Sequence, residues 1–420
     1  MPSSDGKLRV AIIGGGLAGA TLMNALLKYS HLSPEIFESA PEFSERGAAV
    51  GIAQNGQAAL AEIAPELAGA LDRAGAVVMS SSRVRMASGP HTGALAFDLT
   101  GEQRGKVVHR KALLNELLEP IPKSRMHTSK KVTDIAQAND SATGPFKLHF
   151  QDGSSYIADA VIGADGVHGY VRTHILGADH PALKPKFGGF WDSRSLIPME
   201  KAKELLGEHY FIEGDQRQHG WIGNGGFFMH DVLDGGKTVQ CVACAQTNEE
   251  WGEDEWRRDL DREKLESTFS GWTESAIKRG MIENPELKAF AEWHHKIDAP
   301  TYAKGRVVMM GDAAHAMTPW QGSGAGQAIE DAMVLDALLG EVKEPKQLEA
   351  AFKAYDQVRR PRTQRIIASS HDVGMALCGR GSGGLDVEKL ADLPPKWVFI
   401  HTQDQKEHIK GALEAMRSIV

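Results

Sequence analysis

Apolar positions in this chain fall in short runs that end at glycine, and helical spacing resumes after each. Leu8–Ile13 is such a run and predicts a buried strand. Gly14-Gly-Gly-Leu-Ala-Gly19 follows, and residues 20–28 have helical periodicity. Residues 35–38 form a second short strand ending in an acid, which completes a βαβ unit. Residues 55–71 predict an Ala-rich helix, and His109-Arg110 leads into another over 111–118. Phe146–Phe150 and residues 154–158 flank Asp152-Gly153, a favoured hairpin turn. Residues 159–163 predict a buried strand running into Ala164-Asp165-Gly166.

The pattern changes between about Pro185 and Pro300, where Trp, Gly and alternating runs such as 238–245 predict an antiparallel sheet. Residues 306–310 are again an apolar run, ending in Gly311-Asp312. A loop poor in bulky side chains continues through Gly322-Ser-Gly-Ala-Gly326, and residues 327–339 are helical in pattern. Residues 347–378 predict a long helix interrupted at Arg360-Pro361, residues 379–384 a flexible loop, and residues 391–420 a further helical stretch. The expected fold class is α/β. A discontinuous Rossmann-like domain, 1–184 and 301–375, receives an inserted sheet domain, 185–300, and a helical segment, 376–420, closes the chain.

The 420 residues, 42% hydrophobic and 24% charged, make an ordinary globular composition. A net charge of −8 without long runs argues against non-specific nucleic-acid binding. Cys241-Val-Ala-Cys244 has CxxC spacing, but residues three apart on a strand face opposite sides, so no metal or redox site is expected. The adjacent His294-His295 is set aside as a metal site for the same reason. The polar N-terminus runs straight into a strand, and no apolar run reaches the ~20 residues that span a bilayer. A cytoplasmic protein without membrane association, monomeric or homodimeric, is expected.

Gly14-x-Gly16-x-x-Gly19 between a strand and a helix permits the close approach of a pyrophosphate to helix amides. Glu38, at the end of the next strand, is placed to accept hydrogen bonds from a ribose. Asp165 and Asp312 add two further acids at strand ends, each beside glycine.

Together these motifs resemble the group A flavoprotein monooxygenases, the aromatic-ring hydroxylases related to p-hydroxybenzoate hydroxylase. The similarity extends over nearly the whole chain. It is greatest to the salicylate hydroxylase-like branch, through Glu45-Arg-Gly-Ala-Ala-Val-Gly-Ile52, His109-Arg110, Arg194-Ser-Leu-Ile-Pro198, the 311–332 block and Tyr355–Pro361. The resemblance implies non-covalent FAD, with Gly14, Gly16 and Gly19 at its pyrophosphate, Glu38 at the adenosine ribose and Arg110 along the cofactor. Ala49, counted among the cofactor-binding residues, stands in the 47–52 loop where the branch usually has glycine. Asp165 belongs to a motif shared by FAD and NAD(P)H binding, Asp312 is assigned to the ribityl side, and Gly324, Ala325 and Gly326 to the pyrimidine ring. Gly169 replaces a usual serine.

The reaction so implied has NADH or NADPH, bound transiently, reduce FAD. Dioxygen then forms a flavin C4a-hydroperoxide, whose distal oxygen is transferred to a small phenolic acid. Salicylate itself would give catechol and CO2. Arg194 is the candidate partner for the substrate anion, with an outward strand arginine as the alternative. His230 is a candidate base, with a structural histidine as the alternative. Trp320, Pro319 and Trp191 are candidate pocket residues; Trp320 stands where bacterial salicylate hydroxylases carry histidine. A second reading is hydroxylation or epoxidation of a larger polyketide or terpenoid. A flavoprotein without enzymatic activity is a third. The Trp-x-Trp-x-Ile-Pro motif of flavin halogenases is absent from the sequence.

Overall fold

A computed structural model describes residues 6–44, 49–100, 105–139, 144–212, 214, 216–253, 255–272, 281 and 287–419. Leu8–Ile13 is the centre of a six-stranded sheet, paired in parallel with Leu32–Phe37 on one side and Ala160–Gly163 on the other. Val307–Met309 lies parallel to Ala160–Gly163, so the three strands with glycine or an acid at their carboxyl ends are near neighbours. Val10, Ile12, Val161, Ile162, Val307 and Val308 are fully buried. Continuous apolar runs suit parallel strands covered on both faces. The helix Leu17–Leu27 packs against Gly324–Glu341, a helix buried along most of its length.

An eight-stranded sheet stands beside this layer. Its order is Arg257–Asp259, Lys288–His294, Lys186–Pro198, Thr238–Gln246, Gly226–Leu233, Gln218–Gly223, Ser82–Met86 and Leu95–Leu99. All pairings are antiparallel except Gln218–Gly223 with Ser82–Met86. Two of its strands thus come from residues 82–99, outside the 185–300 segment. The fold is α/β, with this mainly antiparallel sheet and helices at the C-terminal end, as the sequence predicts.

Two helical expectations change. Residues 55–71 form three short helices, Gln54–Ile63, Pro65–Ala68 and Ala70–Arg73. Ala64 is extended because the ring of Pro65 disfavours helical backbone before it. The interruption expected at Arg360-Pro361 does not occur, and Leu348–Leu377 is one helix of 30 residues. Tertiary contacts outweigh the lost proline hydrogen bond. Arg359 is fully buried and bonds Asp331 at 2.7 Å, Glu330, and both the backbone and side-chain oxygens of Gln327. Arg362 reaches Glu330 at 2.8 Å, and the Thr363 hydroxyl donates back to the carbonyl of Arg359.

Candidate active site

A cavity of about 1570 Å3 separates the parallel layer from the large sheet. That exceeds the ~300–1,000 Å3 of an ordinary small-molecule pocket, as two occupants side by side require. Gly14, Gly15, Gly16, Glu38, Ala49, Arg110, Asp165, Asp312, Gly324 and Ala325 line it on the layer's side. These ten residues come from seven separate stretches of the sequence, and the fold gathers them on one wall. Residues 45–48 of the 45–52 motif lie outside the described residues.

Local geometry fits this wall to a dinucleotide. Gly14 has φ +108°, and a Cβ there would stand 2.1 Å from the carbonyl oxygen of Ala164. Only glycine allows the turn that ends at Gly16, the N-cap of Leu17–Leu27. The first amides of that helix accordingly face the cavity, where a pyrophosphate is stabilised. The Glu38 carboxylate accepts from the Gly15 amide at 2.8 Å and the Ala40 amide at 2.7 Å, which holds it at the rim. Asp165 accepts from the Val171 amide at 3.0 Å, while its Oδ1 is buried and without a protein partner. Burial pushes the Asp165 carboxyl up to about 6. A ligand hydroxyl at Oδ1 would satisfy it. A Cβ at Gly169 would lie 2.1 Å from the Asp165 carboxyl carbon, so the departure from serine gives that carboxyl its room.

Gly19 and Gly326, expected at the cofactor, do not line the cavity. A Cβ at Gly19 would stand 2.0 Å from the Gly14 carbonyl oxygen, so Gly19 packs the helix onto the turn. Gly326 lets Gly324–Glu341 approach Asn55 and Gly56. Both act by close packing rather than by facing a ligand.

The large sheet supplies the opposite wall, and its pleat decides which residues reach the cavity. Asp192 and Arg194 face it from one strand, Phe227, Met229 and Asp231 from another, and Gln240, Val242 and Cys244 from a third. Trp191 and His230 fall on the alternate positions and lie away from it. Trp191 is buried in the core behind the sheet. His230 is fully buried among Tyr210, Phe211, His219 and Trp221, and burial holds its imidazole well below the usual range. Neither side chain lines the cavity. His230→Leu is therefore expected to leave KM and kcat unchanged. It removes two buried ring nitrogens that have no hydrogen-bond partner, so its thermal midpoint should equal or exceed wild type. A large loss of kcat with FAD retained would return His230 to the site.

Arg194 does line the cavity, and Asp192 organises it. The guanidinium donates to Asp192 through Nε at 2.7 Å and Nη2 at 3.1 Å. The Asp192 charge beside it raises Arg194 further above its ordinary value, so it is cationic at any working pH. Cys241 and Cys244 are reduced thiols; Cys244 faces the cavity and Cys241 does not, as strand alternation requires. Among the described residues no group of His, Cys, Asp or Glu is arranged to hold a metal, and no helix is long and apolar enough to cross a membrane.

Pro319 and Trp320 meet the sheet wall from the loop after Asp312. Trp320 Nε1 donates to Glu292 Oε2 at 2.8 Å, and the indole packs on Phe190 and Phe227. Glu292 is buried, and burial with Asp192 nearby raises its pKa well above the ordinary carboxylate range. Its carboxyl accepts the indole N–H and so fixes the indole plane. Glu292→Gln keeps an acceptor and should keep kcat/KM within about threefold, whereas Glu292→Leu strands the indole N–H at a cost of about 1–3 kcal/mol. Equal stability and kinetics of both variants would show that the bond has no positioning role.

Sequence reasoning did not single out Asp192, Gln218, Asp231 or Gln240. The signal was there in the alternation of Gly226–Leu233, but choosing its register requires knowing which face meets the cavity.

Residues 7–370 match the family model described as FAD binding domain. The chain is 37% identical over 381 residues to the 6-methylsalicylate 1-monooxygenase of Aspergillus terreus, covering 89% of this chain and 83% of that one. It is 32% identical over 397 residues to a salicylate hydroxylase of Pseudomonas putida, covering 89% and 86%. A solved salicylate hydroxylase substrate complex superposes with a TM-score of 0.83 at 26% identity, covering 97% of this chain and 98% of that one. The chain is a flavoprotein aromatic hydroxylase and belongs to the FAD-dependent aromatic monooxygenases, in their salicylate hydroxylase-like branch.

Proposed function

We propose that this enzyme consumes NADH or NADPH and O2 to hydroxylate a small hydroxybenzoic acid of the salicylate type. One observation carries the reading. Arg194, oriented by Asp192, is a cation on the sheet wall facing the cofactor wall across one cavity. A guanidinium already held on one edge loses little entropy when it binds a carboxylate, and bidentate pairing fixes the acid's orientation. Apolar Phe227, Met229 and Val242 beside it offer a surface for an aromatic ring.

When bound, FAD supplies the electrons taken from the nicotinamide and the activation of dioxygen. The protein positions and encloses. Glu38, Asp165 and Asp312 offer acceptors to the cofactor's hydroxyls, and the helix starts at Gly16 and Ser323 point amides at its anionic parts. Pro319 and Trp320 close the cavity between the two walls and exclude water from the ring.

The test is NAD(P)H oxidation by the FAD-loaded enzyme with salicylate and 6-methylsalicylate, products identified by chromatography. A decarboxylated dihydroxybenzene formed in step with NAD(P)H consumption is expected. Stimulated oxidation that yields only hydrogen peroxide would sink the substrate assignment.

A further inference from the structure

Three carboxylates stand on the sheet wall of the cavity among the described residues: Asp98, Asp192 and Asp231. Two are committed to arginines. Asp98 pairs with Arg83 at 2.8 Å and Arg217 at 3.6 Å, and Asp192 with Arg194. Asp231 is buried and bonded by neutral amides instead. Gln218 Nε2 donates to its Oδ1 at 2.7 Å, and the Gln240 side chain bonds it from the other neighbouring strand. The row continues outward on both sides. The Ser82 hydroxyl donates to Gln218 at 2.7 Å, and the Ala49 amide donates to Gln240 at 3.1 Å.

A carboxylate held by neutral donors changes its protonation at smaller cost than one locked to a guanidinium. Asp231 also borders a second cavity of about 10 Å3, lined with it by Met79, Val107, Arg217 and Gln218. That is room for about one water, with polar groups to hold it. The carboxyl therefore borders both the main cavity and a water-sized space. Strand spacing and rise put its backbone about 12 Å from that of Arg194, two strands across and two residues along, on the same face. One polar anchor is a fixed cation and the other a titratable acid, with Val242 and Met229 between them.

We propose that Asp231 is the proton acceptor for the substrate's ring hydroxyl as the ring is oxygenated. The O–H bond breaks, the proton goes to a carboxylate oxygen of Asp231, and the electron pair stays on the ring oxygen to activate the carbon that forms the new C–O bond. The proton rests on Asp231 until it passes to water. This assignment rests on the hydroxybenzoate reading above, and it gives to Asp231 the role that sequence placed one residue earlier, at His230.

Burial pushes the Asp231 carboxyl up to about 6, against the opposing hydrogen bonds of Gln218 and Gln240. The ionisable groups near it are Arg217 at the small cavity and, on the opposite face of the adjoining strand, the buried Cys241 thiol, whose own value burial raises to about 12. An acceptor must be ionised, so activity falls as pH drops through about 6.

The test compares the pH profiles of kcat/KM for wild type, Asp231→Asn and Asp231→Glu, each with FAD content measured, using salicylate and ring-fluorinated salicylates. In wild type an acid limb near pH 6 is expected. Asp231→Asn should retain FAD, lose that limb and fall ~10²–10⁴-fold. The deficit should shrink with the fluorinated, more acidic hydroxyls, and Asp231→Glu should restore part of the rate with an acid limb. An unchanged limb in Asp231→Asn overturns the assignment. So does activity that falls only in proportion to FAD lost, which would make the Ser82–Ala49 row a structural clasp alone. Wild-type enzyme inert toward every hydroxybenzoate would instead remove the substrate reading itself.

Discussion

Arg194→Ala is expected to raise KM for the aromatic acid by about 10- to 100-fold, the loss of a charge-assisted hydrogen bond worth about 1.5–3 kcal/mol. FAD should stay bound, because the cofactor wall is built from other elements. The absorbance of the isolated flavoprotein checks that, and steady-state kinetics check KM. Arg194→Lys separates charge from geometry. It retains a cation near Asp192 but not the two-edged fork, so it should recover part of the affinity and little of the coupling between NAD(P)H oxidation and product. Truncation also leaves Asp192 buried beside Glu292 without its counter-charge, and some loss of stability accompanies it. Unchanged KM in a folded, FAD-loaded Arg194→Ala would remove Arg194 from the substrate site.

The largest stability effect is expected at Arg359. Its side chain is fully buried and neutralises Glu330 and Asp331, which are also fully buried. Asp331 in turn accepts from the Gly311 amide at 2.9 Å and bonds His315 at 2.6 Å, so the network holds the loop that carries Asp312. Burial alone would raise Glu330, but Arg359 and Arg362 outweigh it and hold it well below the usual carboxylate range. Arg359→Leu leaves uncompensated charge in the interior at a cost of about 3–5 kcal/mol. Thermal and urea unfolding should show that loss, with FAD released earlier than in wild type. The triple variant with Glu330→Gln and Asp331→Asn should regain part of it. A shift below about 1 kcal/mol in Arg359→Leu would mean that water or repacking relieves the charges.

Both predictions concern residues whose type was visible in the sequence and whose setting was not. Arg194 was named for its place in a run shared with the branch, but nothing in the run marks Asp192 as its partner two residues back. Arg359 lies beside a proline that reads as a helix break. In the folded chain Leu348–Leu377 continues through Pro361, and Arg359 ion-pairs with a separate helix. Local propensity was overruled there by a buried contact between residues about thirty positions apart. At Pro65 the local rule prevailed, and Ala64 before it is extended.

The cofactor wall was legible because a dinucleotide imposes local demands. A tight glycine turn, a helix start and an acid at a strand end each occupy a few consecutive residues, and Gly14, Glu38, Asp165 and Asp312 satisfy them in place. Parallel pairing of Leu8–Ile13, Ala160–Gly163 and Val307–Met309 then had to bring them together, and continuous apolar runs already implied it. The sheet wall was not legible in the same way. Its strands are buried on both faces, so Phe228 and His230 are as apolar in setting as Phe227 and Met229 are exposed to the cavity. When hydrophobicity does not separate the faces, a shift of one residue exchanges every side chain between core and cavity. By itself the sequence determined the family, the FAD-type wall and the presence of a second sheet. Only tertiary structure decided that Asp231 and Arg194 line the cavity while His230 and Trp191 do not, because register across eight strands is set by long-range pairing.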